Sequence, residues 1–264
     1  MPQFGQITPA QLARLMGTPD CPVILDVRTS EDLALDPRLI PTARTVGHTD
    51  IAACADPTRR AVICCQRGRK LSEGAAALLR SLGMAAEVLE GGHLAWAAAA
   101  LPLVPLAALS GTDLWVTRHR PKIDRIACPW LIRRFVNPAA EFLFVAPTEV
   151  AAVANLFGAT PFDIEDIQYS HRGTGCSFDA MIADFGLSHP ALDRLALVVR
   201  AADTDRHDLS PQAAGLLALS VGLSRMFRDD LAQLEAAMTL YDALYRWARD
   251  GFDEGHDWPA NRPQ

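Results

Sequence analysis

The sequence predicts an α/β unit, a parallel sheet flanked by helices, followed by a mainly helical α+β unit. Two changes of pattern carry that expectation. Before residue 101, short apolar runs at 23–27, 61–64 and 87–89 alternate with helical segments at 9–16 and 72–82, the β/α rhythm of a parallel sheet. Beyond residue 112 the periodicity becomes helical and the turns sparser. Between them Leu101-Pro102-Leu103-Val104-Pro105-Leu106 is a proline-broken apolar stretch, followed by Ser110-Gly111-Thr112-Asp113. We therefore divide the chain at 1–106, 107–113 and 114–264, with the linker packed along one unit and the tail from about 252 loosely ordered.

In the first unit the richest segment is Val62-Ile63-Cys64-Cys65-Gln66-Arg67-Gly68-Arg69-Lys70-Leu71-Ser72. An apolar run ends in a cysteine, a loop carries three cations, and Ser72 and Glu73 open an Ala/Leu-rich helix. A cysteine at this position faces backbone N–H groups and the positive end of the helix dipole. That field lowers the thiol pKa and favours the nucleophilic thiolate. The same amides and cations suit an oxyanion.

With three further motifs, this segment resembles the rhodanese (sulfurtransferase) family. Val23-Ile24-Leu25-Asp26-Val27-Arg28 looks like the family's "LDVR" strand, with Glu31 at the acidic position that follows. Leu39-Ile40-Pro41-Thr42-Ala43-Arg44 looks like a degraded "HIPGA" turn, and Leu89-Glu90-Gly91-Gly92-His93-Leu94-Ala95-Trp96 like the closing "GG…AW". The resemblance covers about residues 5–105. It implies that Cys65 is the persulfide-forming nucleophile and that Gln66, Arg67, Gly68, Arg69, Lys70, Leu71 and Ser72 form the substrate-binding loop. Asp26 and Arg28 then make a buried structural pair. The loop reads about one residue longer than in compact rhodaneses, a wider cradle for which thiosulfate need not be the preferred donor. A phosphatase of the Cys-x5-Arg type would need arginine at 71, where Leu71 stands.

In the second unit, 114–117 and 141–145 read as strands, and Pro129 as the first residue of a helix over 129–136. Helices are expected at 190–201, from Ser210-Pro211 toward Leu223, and over 229–250. The last carries Leu231, Leu234, Met238, Tyr241, Leu244, Tyr245 and Ala248 as a core stripe, stopped by Gly251. Three polar segments stand out: "KIDRIACPWLIRRF", "FDIE…SHRGTGCSFD" and "ADTDRHDLSPQAAGLLALS". They resemble the C-terminal domain of the chromate-resistance family known as ChrB, over 114 to about 249. The resemblance implies an association with chromate or oxidative stress and brings no established reaction.

Those segments hold candidate metal ligands: Glu165, His171 and Asp205, with Asp203 as alternate. One imidazole with carboxylates is a hard, open donor set for iron, manganese or zinc. The alternative is a set of ion pairs and helix caps joining Asp203, Asp205 and Asp208 to Arg200, Arg206 and Arg125. Arg118, Arg120, Lys122, Arg125, Arg133 and Arg134 are the densest positive cluster, an oxyanion site or a set of paired arginines. Cys128 falls at the expected helix start, where a thiolate would be favoured; Cys176 reads as packed.

The net charge of −6 and the lack of a basic tract argue against a nucleic-acid partner. Six cysteines without CxxC spacing fit neither a zinc ribbon nor a disulfide framework. The first nine residues do not read as a signal peptide, and the long apolar run 94–109 contains two prolines and falls short of the ~20 residues of a membrane helix. A cytoplasmic location is expected. Two functions remain. One is a sulfurtransferase passing sulfur from a small anionic donor such as thiosulfate, through Cys65, to a thiol or cyanide, with no cofactor required. The other is a chromate-responsive regulatory or metal/oxyanion-binding stress protein whose cysteine loop does not turn over.

Overall fold

A computed structural model describes residues 5–109 and 111–255. In the first half run β1 (Gln6–Ile7), α1 (Pro9–Leu15), β2 (Val23–Asp26), α2 (Ser30–Leu35), β3 (Arg38–Leu39), β4 (Arg44–Thr45), β5 (Arg60–Cys64), α3 (Lys70–Ser81), β6 (Ala85–Leu89), α4 (Gly92–Ala98) and β7 (Val104–Pro105). The main sheet has the order β1-β6-β5-β2-β4, with every pairing parallel. This is the expected α/β fold. Parallel strands buried on both faces are apolar throughout, and β5 shows it: Ala61, Val62, Ile63 and Cys64 are all buried.

The two-residue period of β5 sorts its neighbours to opposite faces. Val62 and Cys64 pack into one core with Ile24, Leu12 and Trp96, while Ile63 and Cys65 pack into another with Leu25, Val27, Ala75 and Leu79. The proline-broken linker packs as expected. Leu103 and Val104 are buried, β7 pairs antiparallel with β3, and Trp96 donates to the Pro102 carbonyl at 2.8 Å.

The second half comprises β8 (Leu114–Arg118), α5 (Asp124–Leu131), β9 (Glu141–Val145), α6 (Val150–Phe157), β10 (Thr160–Pro161), α7 (Ser177–Asp184), α8 (Pro190–Asp203), α9 (Ala213–Met226) and α10 (Asp230–Asp250). Its small parallel sheet, β10-β8-β9, is covered by helices. Trp130 sits at the centre, with ring contacts to Phe135, Phe178, Tyr241 and Tyr245.

Two boundaries differ from expectation. Helix α5 begins at Asp124, so Pro129 lies inside it and continues into a π-helical turn, Ile132–Val136, in which Asn137 N–H bonds the Ile132 carbonyl at 2.7 Å. Pro129 has no N–H to give the preceding turn, and the chain accommodates it within a helix that is buried almost all round. Helix α9 starts at Ala213 rather than at Pro211, because Ser210 bonds Gln212 and opens a turn first. The tail expected to be loose falls mostly beyond the described residues, but Phe252 packs on Trp247 and beneath Arg194.

The two halves share one hydrophobic cluster. Thr42 N–H bonds the Phe135 carbonyl at 3.1 Å, and Arg249 Nη1 donates to the Arg14 carbonyl at 2.8 Å. Gly17, at φ +71°, lies so close to the Phe135 and Tyr245 rings that a Cβ there would come within 2.4 and 2.5 Å of them.

Candidate functional site

Cys65 follows the last residue of β5, and a short loop leads to α3 at Lys70. The thiol is buried, at 5% residue exposure. Arg69 N–H points at Sγ from 3.4 Å, and Ser72 Oγ lies 3.1 Å away. Burial raises the thiol pKa, but the Ser72 hydroxyl and the amides of Arg69, Ser72 and Arg67 outweigh it, so the net shift is downward. Cys64, one residue earlier and fully buried, is pushed well up by desolvation, with Asp26 adding to the effect. The adjacent cysteines are thus opposite in character.

The loop's shape depends on two glycines pressed against each other. Gly68 (φ +63°) and Gly92 (φ +61°) both adopt left-handed backbone. A Cβ on Gly92 would stand 2.1 Å from the Cys65 carbonyl oxygen and 2.5 Å from Gly68 N; one on Gly68 would stand 2.3 Å from the Leu89 carbonyl oxygen. His93 and Leu94 N–H groups bond the Cys65 and Gln66 carbonyls at 3.0 and 3.2 Å, tying α4 to the loop. The double glycine therefore acts as the bed on which the cysteine loop lies.

Around this loop, Arg67, Arg69 and Lys70 are exposed, while Gln66 and Leu71 are half-buried and Gly68 and Ser72 buried. Arg67, Gly68, Arg69 and Lys70 line a surface cavity of about 740 Å³, with Glu73 and Glu90 on its wall. Cys65 itself does not line this cavity. Asp26 and Arg28 are the expected buried pair: Arg28 Nε donates to Asp26 Oδ2 at 2.8 Å, and its other nitrogens bond the Asp36 and Arg38 carbonyls.

In the second half the polar segments converge, though not on the residues the sequence suggested. His171 Nε2 lies 3.1 Å from Asp203 Oδ2, 3.6 Å from Asp163 Oδ1 and 3.7 Å from Asp124 Oδ2. Glu165 is exposed and outside this group, and Asp205 projects into solvent at 97% side-chain exposure, with His207 at 3.5 Å. Sequence spacing favoured Glu165 and Asp205 as neighbours of His171 and Asp203. The fold instead brings Asp124 from the start of α5 and Asp163 from the end of β10. The signal for Asp124 was an acid standing just ahead of the apolar run 126–132, in a stretch not expected to be helical before Pro129.

Burial, with Asp203 and Asp163 nearby, pushes the Asp124 carboxyl well above its usual range. Burial and Asp163 likewise raise Asp203, with His171 opposing. Asp163 is held by Arg118 Nη2 at 2.9 Å and Arg125 Nε at 3.3 Å. The basic cluster is thus largely paired, with Arg133 on Glu235 and Arg134 on Asp242. Cys128 is not at a helix start but inside α5, fully buried, and desolvation pushes its thiol up, as it does that of Cys176. Among the described residues no helix is long and apolar enough to cross a membrane.

Similarity to known proteins parallels this division. A protein named ChrB from Cupriavidus metallidurans is 32% identical over 132 residues, which is 50% of this chain and 39% of that protein, so the chain spans well under half of its relative's length. Among solved structures, thiosulfate sulfurtransferase from Pseudomonas aeruginosa is 30% identical over 39% of this chain and 20% of its own, with a TM-score of 0.34. A rhodanese-like domain protein from Staphylococcus aureus is 29% identical over 35% of this chain and 91% of its own, with a TM-score of 0.31. The rhodanese-like domain family matches residues 8–99, and the family described as ChrB, C-terminal domain, matches residues 115–248, half of the chain. The chain belongs to the ChrB C-terminal domain family and carries a rhodanese-like domain ahead of it.

Proposed function

We propose that this protein is a sulfurtransferase that carries sulfane sulfur on Cys65. The Cys65 thiolate attacks the outer sulfur of thiosulfate, the S–S bond breaks, and sulfite leaves with the bonding pair. A thiol or cyanide then takes the terminal sulfur from the persulfide and returns Cys65 to thiolate. The observation that carries this reading is the lowered pKa of a thiol held by Arg69 N–H and Ser72 Oγ beneath a cationic loop. Arg67, Arg69 and Lys70 recruit the anion, and the amides that favour the thiolate also favour the leaving charge. Sulfur transfer of this kind needs no cofactor.

Cys65 must be reduced to act, and the described cysteines are all free thiols, which suits a reducing compartment such as the cytoplasm. From the family of the C-terminal half we infer a role in chromate or oxidative stress, with residues 1–106 and 114–264 as two units on one shared core. The test is thiocyanate formation from thiosulfate and cyanide. Wild-type protein turns over, Cys65→Ser does not, and mass spectrometry finds about 32 Da added on Cys65.

A second reading is a stress protein whose cysteine loop binds or senses without turnover. The 5% exposure of Cys65 favours it, because an acceptor must reach the sulfur. A persulfide that forms on Cys65 but is not discharged by thiols or cyanide would select this reading.

A further inference from the structure

We propose that Asp124, Asp163 and His171 ligate one divalent cation of the Mn(II), Fe(II) or Zn(II) class, with Asp203 as the fourth donor. The site lies wholly in the C-terminal half and is independent of the sulfur chemistry of Cys65.

Geometry is the first support. A carboxylate oxygen of Asp124, one of Asp163 and a ring nitrogen of His171 all lie within 4.8 Å of one another. With Asp203, three carboxylates surround a single nitrogen, His171 Nε2, at 3.1–3.7 Å. Metal–ligand bonds of ~2.0–2.2 Å separate neighbouring donors by roughly 3.0–3.5 Å, so small side-chain rotations suffice to place an ion between them. The donors come from three remote parts of the chain, which fixes the floor of the site on packed elements.

The second support is Asp124 itself. It is 1% exposed; Oδ2 accepts the Ser177 N–H at 2.6 Å, the weak Cys176 thiol donor stands beside the carboxyl, and Oδ1 has no partner at hydrogen-bond distance. A buried carboxylate oxygen left bare is costly, and a cation is the usual remedy. No arginine or lysine supplies one: among the described residues, the basic side chain within 4 Å of the Asp124 carboxylate is the imidazole of His171, at 3.7 Å. Asp163, by contrast, already has Arg118 and Arg125. Those two arginines offset part of the negative charge without reaching Asp124.

The surroundings are those of a supported site. Ser177 bridges the two buried ligands, donating its N–H to Asp124 and its hydroxyl to Asp163 Oδ1 at 2.9 Å, the kind of outer contact that orients metal ligands. The His171 side chain is 46% exposed and forms the outer wall, giving an ion a route in from solvent. The donor set, one imidazole and carboxylates with no thiolate in the group, selects a hard or borderline divalent ion over Cu(I).

The experiment uses the full-length protein, stripped with chelator, dialysed, and titrated separately with Mn²⁺ and Zn²⁺ by calorimetry and thermal unfolding. Wild-type protein is expected to bind one ion per chain and to unfold at higher temperature when loaded. His171→Ala changes a half-exposed side chain and should weaken binding ten-fold or more. Asp124→Asn keeps an acceptor for Ser177 and should lose the metal-dependent rise. Glu165→Gln and Asp205→Asn should bind as wild type. Lack of one-to-one saturation with both ions, or unchanged affinity in His171→Ala, would overturn the site in favour of a protonated histidine in an ion-pair network. A loss in Glu165→Gln or Asp205→Asn equal to that in His171→Ala would overturn this ligand set.

Discussion

Ser72 Oγ stands 3.1 Å from Cys65 Sγ and 2.9 Å from the Arg69 carbonyl oxygen, with one proton to give. While Cys65 is a thiol, that proton bonds the carbonyl, and the S–H can donate to Ser72. Once Cys65 ionises, the hydroxyl must turn to the sulfur and release the carbonyl. The stabilisation of the thiolate is therefore conditional on the serine's rotation.

Ser72→Ala should raise the Cys65 pKa, because it removes the hydroxyl hydrogen bond that does most to favour the thiolate against burial. Reactivity toward iodoacetamide, followed against pH, should shift its midpoint upward, with a slower rate at pH 7. An unchanged midpoint would mean that the loop amides alone set the thiol.

Cys65 should be alkylated in the native protein before Cys64, Cys128 and Cys176. Desolvation pushes those three upward, and each is 0% exposed. Peptide mapping after brief labelling decides it. Modification of Cys64 ahead of Cys65 would reverse the assignment of the nucleophile.

Gly92 and Gly74, both in this half, should behave oppositely under the same substitution. Gly92→Ala places a methyl against the Cys65 carbonyl oxygen and forces a left-handed φ on alanine. It should destabilise by about 1–3 kcal/mol and displace the cysteine loop, with sulfur transfer lost beyond the stability effect. Gly74→Ala, in α3 with nothing near its added carbon, should instead stabilise by about 0.5–1 kcal/mol. Equal effects from the two would argue against the packed-loop account.

Neutralising Arg67, Arg69 or Lys70 should raise KM for thiosulfate and weaken its salt dependence, with less effect on kcat, since these exposed cations act by attraction. A change in kcat alone would place that cation in the transition state.

The sequence carried the first half's fold because its signals are local. A strand end, a cysteine, a cationic loop and a helix start are adjacent in the chain, and the double glycine marks where the loop needs a bed. In the second half the signals were local too, but the site is not. Asp124 and His171 are brought together by the packing of α5 against α7, which no spacing within one segment reveals. Asp205 read as a ligand because it lies two residues from Asp203, yet it sits past the end of α8 with φ +55° and faces solvent. Pro129 misled for a related reason: proline marks helix starts in exposed segments, whereas here the tight packing around α5 retains the helix through it.

The seam between the halves yields the last prediction. Gly17 is left-handed and is covered by the Phe135 and Tyr245 rings of the other half, so alanine there meets both backbone strain and overpacking, together about 2–4 kcal/mol. Because Leu12, Met16 and Trp96 share a cluster with Trp130, Phe135 and Tyr245, the cost should not stay local. Wild-type unfolding should be one transition, seen alike by Cys65 labelling in the first half and by near-ultraviolet circular dichroism of the Trp130 cluster in the second. Gly17→Ala should move both signals together to lower temperature. If labelling moves while the aromatic signal stays, the halves unfold separately and the shared cluster is a contact between independent units, not a common core.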